Sequence, residues 1–494
     1  MYCEMPRLLV GRILLVNSSS PKAKQNKVYA TLARVNHAID CLTMPDEKRR
    51  VEQHQMISEA MSFRSLTSYT RMNTIDQQVD PKTEAQNVLS GAIIIGDLPL
   101  VTSLLSSASP LDLATAANTE SPYFSRPLQL ATACGHVDIV RYLLECGADP
   151  HASTDPNLNR REDDNKWDPS GRLALGDRYD CRSTRGSALR VAVLGGHEDI
   201  VRLLLYPEYR LSPTKAEYFR AIVAGARGGH INLIRLLIET AGQENVSKFE
   251  DLEQEILWEA ARHNQYEVVQ MSQDNGINVN VAPYPSCRGY GNALCIAASR
   301  GHTNIVRLLL ERGADVNLEI NNHGYAIEDA AVGGHEEVVE MLLDRGANLD
   351  RALVSAAGSG QVRLVRHLLG KDVNLLTHKW LHGSETVGME ALRHAILCKN
   401  PTVISLLVDA GAPLNDGYAA PDLLPIVMAK MFAAEWIVKF LLSIGAADQE
   451  VDEDMCEDSE GPNGSFLKGL GNGLANIRKN IFESRSSSNF HIMC

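Results

Sequence analysis

Apolar and polar positions in residues 292–318 follow a pattern that predicts two short helices joined by a tight turn. The first helix has an apolar face made of Leu294, Ile296, Ala297 and Ala298. The second has apolar residues at the i, i+3, i+4 spacing of a buried helix face: Ile305, Val306, Leu308, Leu309 and Leu310. Gly301-His302 ends the first helix and separates it from the second, and Gly313 ends the second helix as a left-handed cap. Because neither helix is long enough to be stable alone in water, the unit is predicted to stack on copies of itself.

Such copies are present at residues 125–152, 187–205 and 325–350. The histidines of the Gly-His pairs are His136, His197, His230, His302 and His335. Two of the gaps, from His197 to His230 and from His302 to His335, are 33 residues, the period of ankyrin repeats. The chain resembles the ankyrin repeat family at the residues GH…IVRLLLERGADVN, over roughly residues 86–447. The low-consensus repeats also resemble the divergent ankyrin repeat proteins of filamentous fungi.

This pattern predicts an all-α fold, an ankyrin-repeat solenoid of about ten helix–turn–helix modules in three regions. Residues 1–85 are expected to form a helical, non-repeat N-terminal region that caps the first repeat. Residues 86–447 form the array, interrupted by an insertion at 153–184. Residues 448–494 begin with an acidic run and are expected to be a disordered tail.

Two modules depart from the pattern. The module at residues 256–271 lacks the Gly-His pair, and Gln361 stands only 26 residues after His335, which predicts that the connecting hairpin there is largely deleted. The family's T-P-L-H box is mostly missing as well, so we expect a less regular stack with weak points at 256–271 and 351–369.

Net charge is −13, and residues 448–460 hold eight acidic residues and no basic ones, so the acidity belongs mostly to one segment. Ten cysteines occur without a C-x-x-C pair, which favours free thiols in a reducing compartment. No apolar run reaches the ~20 residues that a membrane span needs. We expect a cytoplasmic or nuclear protein, and a monomer.

Motifs of catalysis and cofactor binding are missing from the sequence: it has no phosphate-binding loop, no H-E-x-x-H and no G-x-S-x-G. The repeat histidines recur one per module, so a solenoid spaces them apart and they cannot converge on one metal ion. We therefore expect no catalytic residue, no cofactor and no metal site, and a structural role for the histidines.

Two sets of arginines follow the repeat. One set lies in the second helices and is expected to be a solvated face: Arg141, Arg202, Arg235, Arg307 and Arg366. The other stands near the end of the first helices: Arg227, Arg262, His263 and Arg300. The resemblance implies that this second set faces the groove in which ankyrin proteins bind partners. An acidic protein segment is the expected ligand, and the chain's own 448–460 run is a candidate competitor.

The insertion 153–184 is a second candidate contact region, because it carries Trp167 and Tyr179, residue types that are enriched at binding hot spots. A long loop in a compact array is either functional or disordered, and both interpretations stay open. In the tail, Phe466, Leu470, Leu474, Ile477 and Ile481 fall on one helical face, although Gly469, Gly471 and Gly473 disfavour a helix.

The predicted function is that of a non-enzymatic scaffold for protein–protein interaction, an intracellular adaptor or a transcription co-regulator without DNA contact of its own. Two alternatives stay open. One is an enzyme with an unrecognised site in residues 1–85. The other is a direct DNA-binding regulator, for which Lys48-Arg49-Arg50 is a short basic element.

Overall fold

The structure is a computed structural model. It describes residues 15–18, 27–61, 81–106, 110–121, 123–153, 186–246, 252–281, 292–319, 324–371, 373, 375–376, 386–415, 424–432 and 435–448. These residues are helical or form turns, with one isolated bridge between Ser121 and Ser125, so the expected all-α fold is confirmed. The chain divides into two compact units between Val268 and Val269.

Helices of the first unit are α1 (Lys27–Thr43), α2 (Glu47–Met61), α3 (Pro81–Ile94), α4 (Leu98–Ser106), α5 (Pro110–Asn118), α6 (Pro127–Cys134), α7 (Val137–Glu145), α8 (Ala188–Gly195), α9 (Glu198–Leu204), α10 (Ala216–Gly228), α11 (Ile231–Ala241), α12 (Gln243–Val246) and α13 (Leu252–Arg262). The boundary between the units falls inside α14 (Tyr266–Asp274). Helices of the second unit are α15 (Ala293–Arg300), α16 (Thr303–Glu311), α17 (Ala326–Gly333), α18 (Glu336–Asp344), α19 (Leu349–Ser359), α20 (Val362–Leu369), α21 (Val387–Cys398), α22 (Pro401–Asp409), α23 (Pro425–Phe432) and α24 (Glu435–Ser443).

Ten pairs of helices in the described residues follow the predicted plan of helix, tight turn and helix. The pairs are α3/α4, α6/α7, α8/α9, α10/α11, α13/α14, α15/α16, α17/α18, α19/α20, α21/α22 and α23/α24. In the pair α15/α16, Gly301 takes φ +69° and ends the first helix, and the second helix begins two residues later at Thr303. Asn264 and Lys399 hold the same left-handed conformation in the pairs that lack the glycine.

The two helices of a pair are buried to different degrees. The first helix is covered almost all round, as in α8, where residues 188–194 are all buried between α6 and α10. The second helix buries one face, as in α7, where Ile139, Val140, Leu143 and Leu144 point inward. A thin core of small and branched apolar residues follows from this arrangement, which agrees with the low aromatic content of 5%.

A ladder of side-chain hydrogen bonds joins consecutive pairs next to the tight turns. His136 Nε2 lies 3.1 Å from the carbonyl oxygen of Ile94, and His335 Nε2 lies 3.2 Å from that of Ser299. Where histidine is absent, Gln361 Nε2 donates to the carbonyl of Val332 at 2.8 Å. The structural role predicted for the repeat histidines is confirmed at His136 and His335.

Asparagines form a second ladder at the opposite end of the helix pairs. Asn118, Asn280, Asn317 and Asn415 each donate through Nδ2 to a glycine carbonyl of the following pair, at 2.9 to 3.2 Å. Asn280 also accepts from the backbone N–H of Asp315 at 2.8 Å. Each bond joins residues 29 to 33 positions apart, so these side chains fix the repeat-to-repeat register.

The N-terminal helices α1 and α2 pack against α3. Val35 and Ile39 of α1 lie so close to Gly91 that a side chain there would meet them, and Arg34 Nε is 2.8 Å from Glu84 Oε1. Helix α3 begins at Pro81, five residues before the predicted start of the array.

The predicted hairpin deletion is confirmed, because α18 and α19 are joined by residues 345–348 alone. Asn348 Oδ1 accepts from the backbone N–H groups of Asp350 and Arg351 and so caps α19. The insertion 153–184, apart from residue 153, and the tail after Asp448 lie outside the described residues. In the part of the chain that is described, no helix has the length and apolar character required to cross a membrane.

Candidate protein-binding surface

A buried cluster of charged side chains surrounds Glu259 in the first unit. Arg227, near the end of α10, donates through Nε to Glu259 Oε2 at 2.6 Å. From the last turn of α13, Arg262 Nη1 lies 3.4 Å from Glu259 Oε1. His263 Nε2 lies 3.5 Å from Oε2 of the same carboxylate. One carboxylate therefore holds three cationic or ionisable groups from two successive repeats.

The local sequence explains this arrangement. Glu259, Arg262 and His263 stand at i, i+3 and i+4, so one helix turn puts them on the same face. Arg227 comes from the preceding repeat and is held in place by Gln265, whose Nε2 donates to the Arg227 carbonyl at 2.7 Å. Gln265 thus occupies the histidine position of the ladder and also anchors the cluster.

The cluster shifts the pKa values of its two buried partners. Burial alone would raise the pKa of Glu259, but Arg227, Arg262 and His263 together hold it well below its usual value. Burial lowers the pKa of Arg227, Glu259 opposes this, and the positive charges of Arg190 and Arg262 lower it further. Glu259 is therefore ionised at neutral pH.

A second buried carboxylate, Glu217, lies at the start of α10, at the opposite end of that helix from Arg227. Glu217 of α10 accepts from the backbone N–H of Ser187 at 2.8 Å, and its other oxygen lies 3.6 Å from Arg220 Nη1. Arg190 of α8 is buried as well. Together with burial, its positive charge lowers the pKa of Arg227.

Solvent reaches the Glu259 cluster at two side chains. Arg262 and His263 keep 15% and 29% of their side-chain surface exposed, whereas Arg227 and Glu259 keep 7% and 5%. The sequence had placed Arg227 at the groove surface, and the structure buries it instead because Glu259 of the next repeat receives its guanidinium. A ligand would meet Arg262 and His263, with Arg227 behind them.

The other predicted contact residues are separate from this cluster. Arg300 lies in the second unit, exposed in the last turn of α15. Trp167 and Tyr179 lie outside the described residues, so their predicted role in partner contact stays a prediction.

The arginines of the second helices are exposed, as predicted for a solvated face: Arg141, Arg202, Arg235, Arg307 and Arg366. Arg202 Nη2 lies 2.6 Å from Glu198 on the same helix, and Arg307 Nη2 lies 3.8 Å from Glu337 on the second helix of the following pair. Pairs this exposed contribute little to stability.

Sequence reasoning missed two features. The first is a copy of the Glu-x-x-Arg-His spacing in α21, where Glu390 Oε2 lies 3.0 Å from Arg393 Nη1 and Oε1 lies 3.2 Å from His394 Nε2. The repeated spacing was the signal that would have identified both buried clusters. The second is Trp436 in α24, a large apolar side chain with 48% of its surface exposed.

In the described part of the chain no group of three or more His, Cys, Asp or Glu side chains has the arrangement of a metal site. The charged clusters instead pair arginine and histidine with a carboxylate, Glu259 in α13 and Glu390 in α21.

Comparisons with known proteins agree with the repeat pattern. The family model for three copies of the ankyrin repeat matches residues 257–352, and the model for a single ankyrin repeat matches residues 126–155. An ankyrin repeat and KH domain-containing protein of Caenorhabditis briggsae is 27% identical over 134 residues, which is 27% of this chain and 5% of that protein. The ankyrin repeat and KH domain-containing protein mask-1 of Caenorhabditis elegans is 26% identical over 249 residues, 48% of this chain and 9% of that protein.

Among solved structures, the human ASB11 ankyrin repeat domain is 24% identical, with a TM-score of 0.36, and the match covers 46% of this chain and 99% of that domain. The matches to the two curated relatives span less than a tenth of their length. The repeated helix pairs and the two family matches agree that the chain contains ankyrin repeats, at residues 126–155 and 257–352.

Proposed function

We propose that this chain is a non-enzymatic intracellular adaptor whose first unit binds an acidic segment of a partner protein at Arg262 and His263. Ankyrin repeats are protein-interaction modules, and the class of function follows from them. Transcriptional co-regulation and residence in the cytoplasm or nucleus belong to the proposal, not to the findings.

The observation that carries the proposal is the partial exposure of Arg262 and His263 at the edge of a buried charged cluster. Arg227, Arg262 and His263 all lie within 3.5 Å of the Glu259 carboxylate, and Arg262 and His263 keep 15% and 29% of their side-chain surface exposed. A carboxylate from a partner would relieve the repulsion among these groups while it receives charge-assisted hydrogen bonds from Arg262. Charges of this kind set encounter rate and selectivity more than total affinity.

A pull-down with the full-length protein tests the proposal. The variant Arg262→Gln with His263→Gln removes the accessible positive charge and leaves the buried Arg227–Glu259 pair in place. Partners that bind through an acidic segment are expected to be lost. The matched control is Arg235→Gln, which removes an exposed charge from a second helix of the same unit. Retention of every specific partner by the double variant would show that binding occurs elsewhere.

Arg300 is tested alone because it belongs to the second unit. Partners lost with Arg300→Gln but kept with Arg262→Gln and His263→Gln would assign a separate contact to the end of α15.

The two alternatives from the sequence gain no support from the described residues. Arg50, of the Lys48-Arg49-Arg50 element, lies 3.0 Å from Glu47 and 3.6 Å from Asp40, so acidic neighbours offset this basic cluster. Helices α1 and α2 of the N-terminal region pack against α3 as part of the repeat stack.

A further inference from the structure

Two side chains of the kind that bind metal ions stand together on the solvent side of α1. His37 and Cys41 are four residues apart, so about one turn of the helix puts both on the same face. Both side chains are exposed, and His37 Nε2 lies 3.8 Å from Cys41 Sγ. Val35 and Ile39 of the same helix are buried and approach Gly91 of α3. Two ligands at i and i+4 on one helix face are a recurrent part of zinc sites.

The separation of the two ligand atoms suits a tetrahedral zinc ion. Zinc bonds to a thiolate sulfur at about 2.3 Å and to an imidazole nitrogen at about 2.1 Å, so two such atoms in a tetrahedron stand about 3.6 Å apart. The distance of 3.8 Å between His37 Nε2 and Cys41 Sγ is close to this value. One zinc ion can therefore bond to both side chains without a change in the helix backbone.

One chain supplies half of such a site. Structural zinc sites have four ligands. In the described residues no group of three or more His, Cys, Asp or Glu side chains is arranged to hold a metal ion. Asp40, which lies between the two ligands in sequence, is held elsewhere: His54 Nε2 is 2.9 Å from its Oδ1, and Arg50 Nε is 3.6 Å from its Oδ2. The pair is thus open to two ligands from another molecule.

A second copy of this chain carries the two ligands that complete the tetrahedron. In a two-fold symmetric contact the same patch meets itself, so the two pairs surround one ion on the symmetry axis. Two cysteines with two histidines are a common ligand set of structural zinc. Two thiolates balance the charge of Zn²⁺. Arg34, one turn earlier on α1, leaves this balance in place, because its Nε lies 2.8 Å from Glu84 Oε1.

Exposed apolar side chains follow the ligand pair directly. Leu42 is 51% exposed and Met44 is 86% exposed, at the end of α1 and just after it. A contact between two copies at this end of α1 would remove apolar surface from water, which favours association. The ligands and the apolar side chains therefore favour the same contact.

We propose that His37 and Cys41 from two copies of the chain bind one zinc ion, which joins the two chains at α1. Each cysteine gives its thiol proton to the solvent when it bonds to the metal, and each histidine binds through its neutral imidazole. No electron is transferred, so the link is reversible and depends on the supply of zinc.

Sedimentation equilibrium of the full-length protein in a phosphine reductant, with and without zinc chloride, tests the proposal. Half an equivalent of zinc per chain is expected to convert the protein to a dimer, and a chelator is expected to reverse this. His37→Gln and Cys41→Ser each remove one ligand at an exposed position and are expected to lose the zinc-dependent dimer. His37→Cys replaces one ligand by another and is expected to keep it. The matched control is His151→Gln, which removes an exposed histidine elsewhere in the first unit.

Cobalt in place of zinc identifies the ligands, because a thiolate bound to cobalt gives a charge-transfer absorption band. The band is expected to be absent from Cys41→Ser and about twofold stronger in His37→Cys, in which four thiolates replace two. The proposal is overturned if the wild type forms no dimer with zinc or binds one zinc per chain as a monomer. It is also overturned if His37→Gln and Cys41→Ser both dimerise with zinc as the wild type does.

Discussion

At the scale of single residues, Glu259 illustrates how a repeat protein buries charge. Its carboxylate is within 3.5 Å of Arg227, Arg262 and His263, and its side chain is 5% exposed. A charge in such a place is tolerated only when its partners stay in position, because an isolated buried ion loses its solvation. The pair joins α10 to α13, so it also ties two repeats together.

Replacing Glu259 with glutamine is expected to destabilise the first unit. The variant leaves the Arg227 guanidinium buried without its counter-charge, a change that costs about 3 kcal/mol or more in comparable buried pairs. Hydrogen exchange of the α10 and α13 amides measures this as a lower free energy of opening. Glu198→Gln removes a carboxylate from an exposed pair with Arg202 and is expected to cost less than about 1 kcal/mol. If both variants lose the same free energy of opening, burial does not make the Glu259 pair more costly to break than the exposed one.

The stability of the first unit is expected to depend on pH, and the direction in which the pKa of Glu259 is shifted gives the sign of this dependence. The pKa of Glu259 is held well below its unfolded value near 4.5, so the unfolded chain takes up a proton at a higher pH than the folded protein does. The stabilisation is complete above pH about 4.5 and is lost as the pH falls through the folded pKa. Acid titration followed by amide exchange is expected to show this loss in α10 and α13, and the loss should be absent from Glu259→Gln.

The position of Arg227 shows where sequence reasoning reaches its limit. Repeat register placed Arg227 and Arg262 correctly at the same end of the inner helices. It did not show that Arg227 is buried, because its partner Glu259 is 32 residues away in the next repeat. The spacing of Glu259, Arg262 and His263 is a local signal, whereas the contact with Arg227 depends on how two repeats stack.

At the scale of the helix pair, Gly301 and Gly313 show two different reasons why a position requires glycine. Both have φ in the left-handed region, at +69° and +86°. A side chain at Gly301 would meet the ring of His335, whereas one at Gly313 would meet nothing within 4 Å. The tight turn therefore requires glycine for space as well as for backbone conformation, while the end of α16 requires it for conformation alone.

Gly313→Ala is expected to lower the free energy of unfolding by about 1 kcal/mol, because alanine is strained in the left-handed conformation. Gly301→Ala is expected to lower it clearly more. The additional loss measures the displacement of His335 from its bond with the Ser299 carbonyl. Thermal unfolding of the two variants, prepared side by side, gives the difference. If they unfold at the same temperature, the contact between the turn and the next histidine contributes nothing.

The ladder contact of His335 has a pH dependence of its own. Burial lowers the pKa of His335, and its bond to the Ser299 carbonyl opposes this without reversing it. The unfolded chain therefore binds the proton more readily, and stability is expected to fall as the pH drops below about 6.5. His335→Gln should flatten this dependence and keep the bond, because Gln361 already makes the same contact in the next pair. His335→Leu should cost about 1 kcal/mol, the net contribution of an ordinary hydrogen bond, because the Ser299 carbonyl is exposed and water can replace the lost donor. Denaturant unfolding at pH 7.5 and 5.5 distinguishes the three proteins.

At the scale of the whole molecule, the helix pairs within each unit contact their immediate neighbours, so disturbances within a unit are expected to stay local. Gly301→Ala is expected to speed amide exchange in α15 to α18 much more than in α21 to α24 of the same unit. Residue-resolved hydrogen exchange measures this gradient. Uniform acceleration along the second unit would show that it opens in a single step.

The sequence period predicted the whole-molecule architecture, including about ten modules, the short connection between α18 and α19, and the structural use of His136 and His335. Trp436 could not be interpreted from the period alone, because its meaning depends on an exposed neighbourhood on α24 that only three-dimensional packing defines. The hydrogen bonds of the asparagine ladder could not be predicted from the sequence either, because each asparagine donates to a carbonyl about one repeat away.

The short connection at residues 345–348 interrupts the asparagine ladder of the second unit. Asn348 turns its side chain onto its own helix, whereas Asn317 of the preceding connection donates to the next turn. Ion pairs hold this junction: Arg351 lies 2.6 Å from Glu328, and His367 and Lys371 lie 2.6 and 2.7 Å from Glu340. When the protein is stretched in an optical trap, the force that separates α18 from α19 is therefore expected to fall as salt is added. The array would then behave as a spring in which the stiffness of one coil depends on ionic strength.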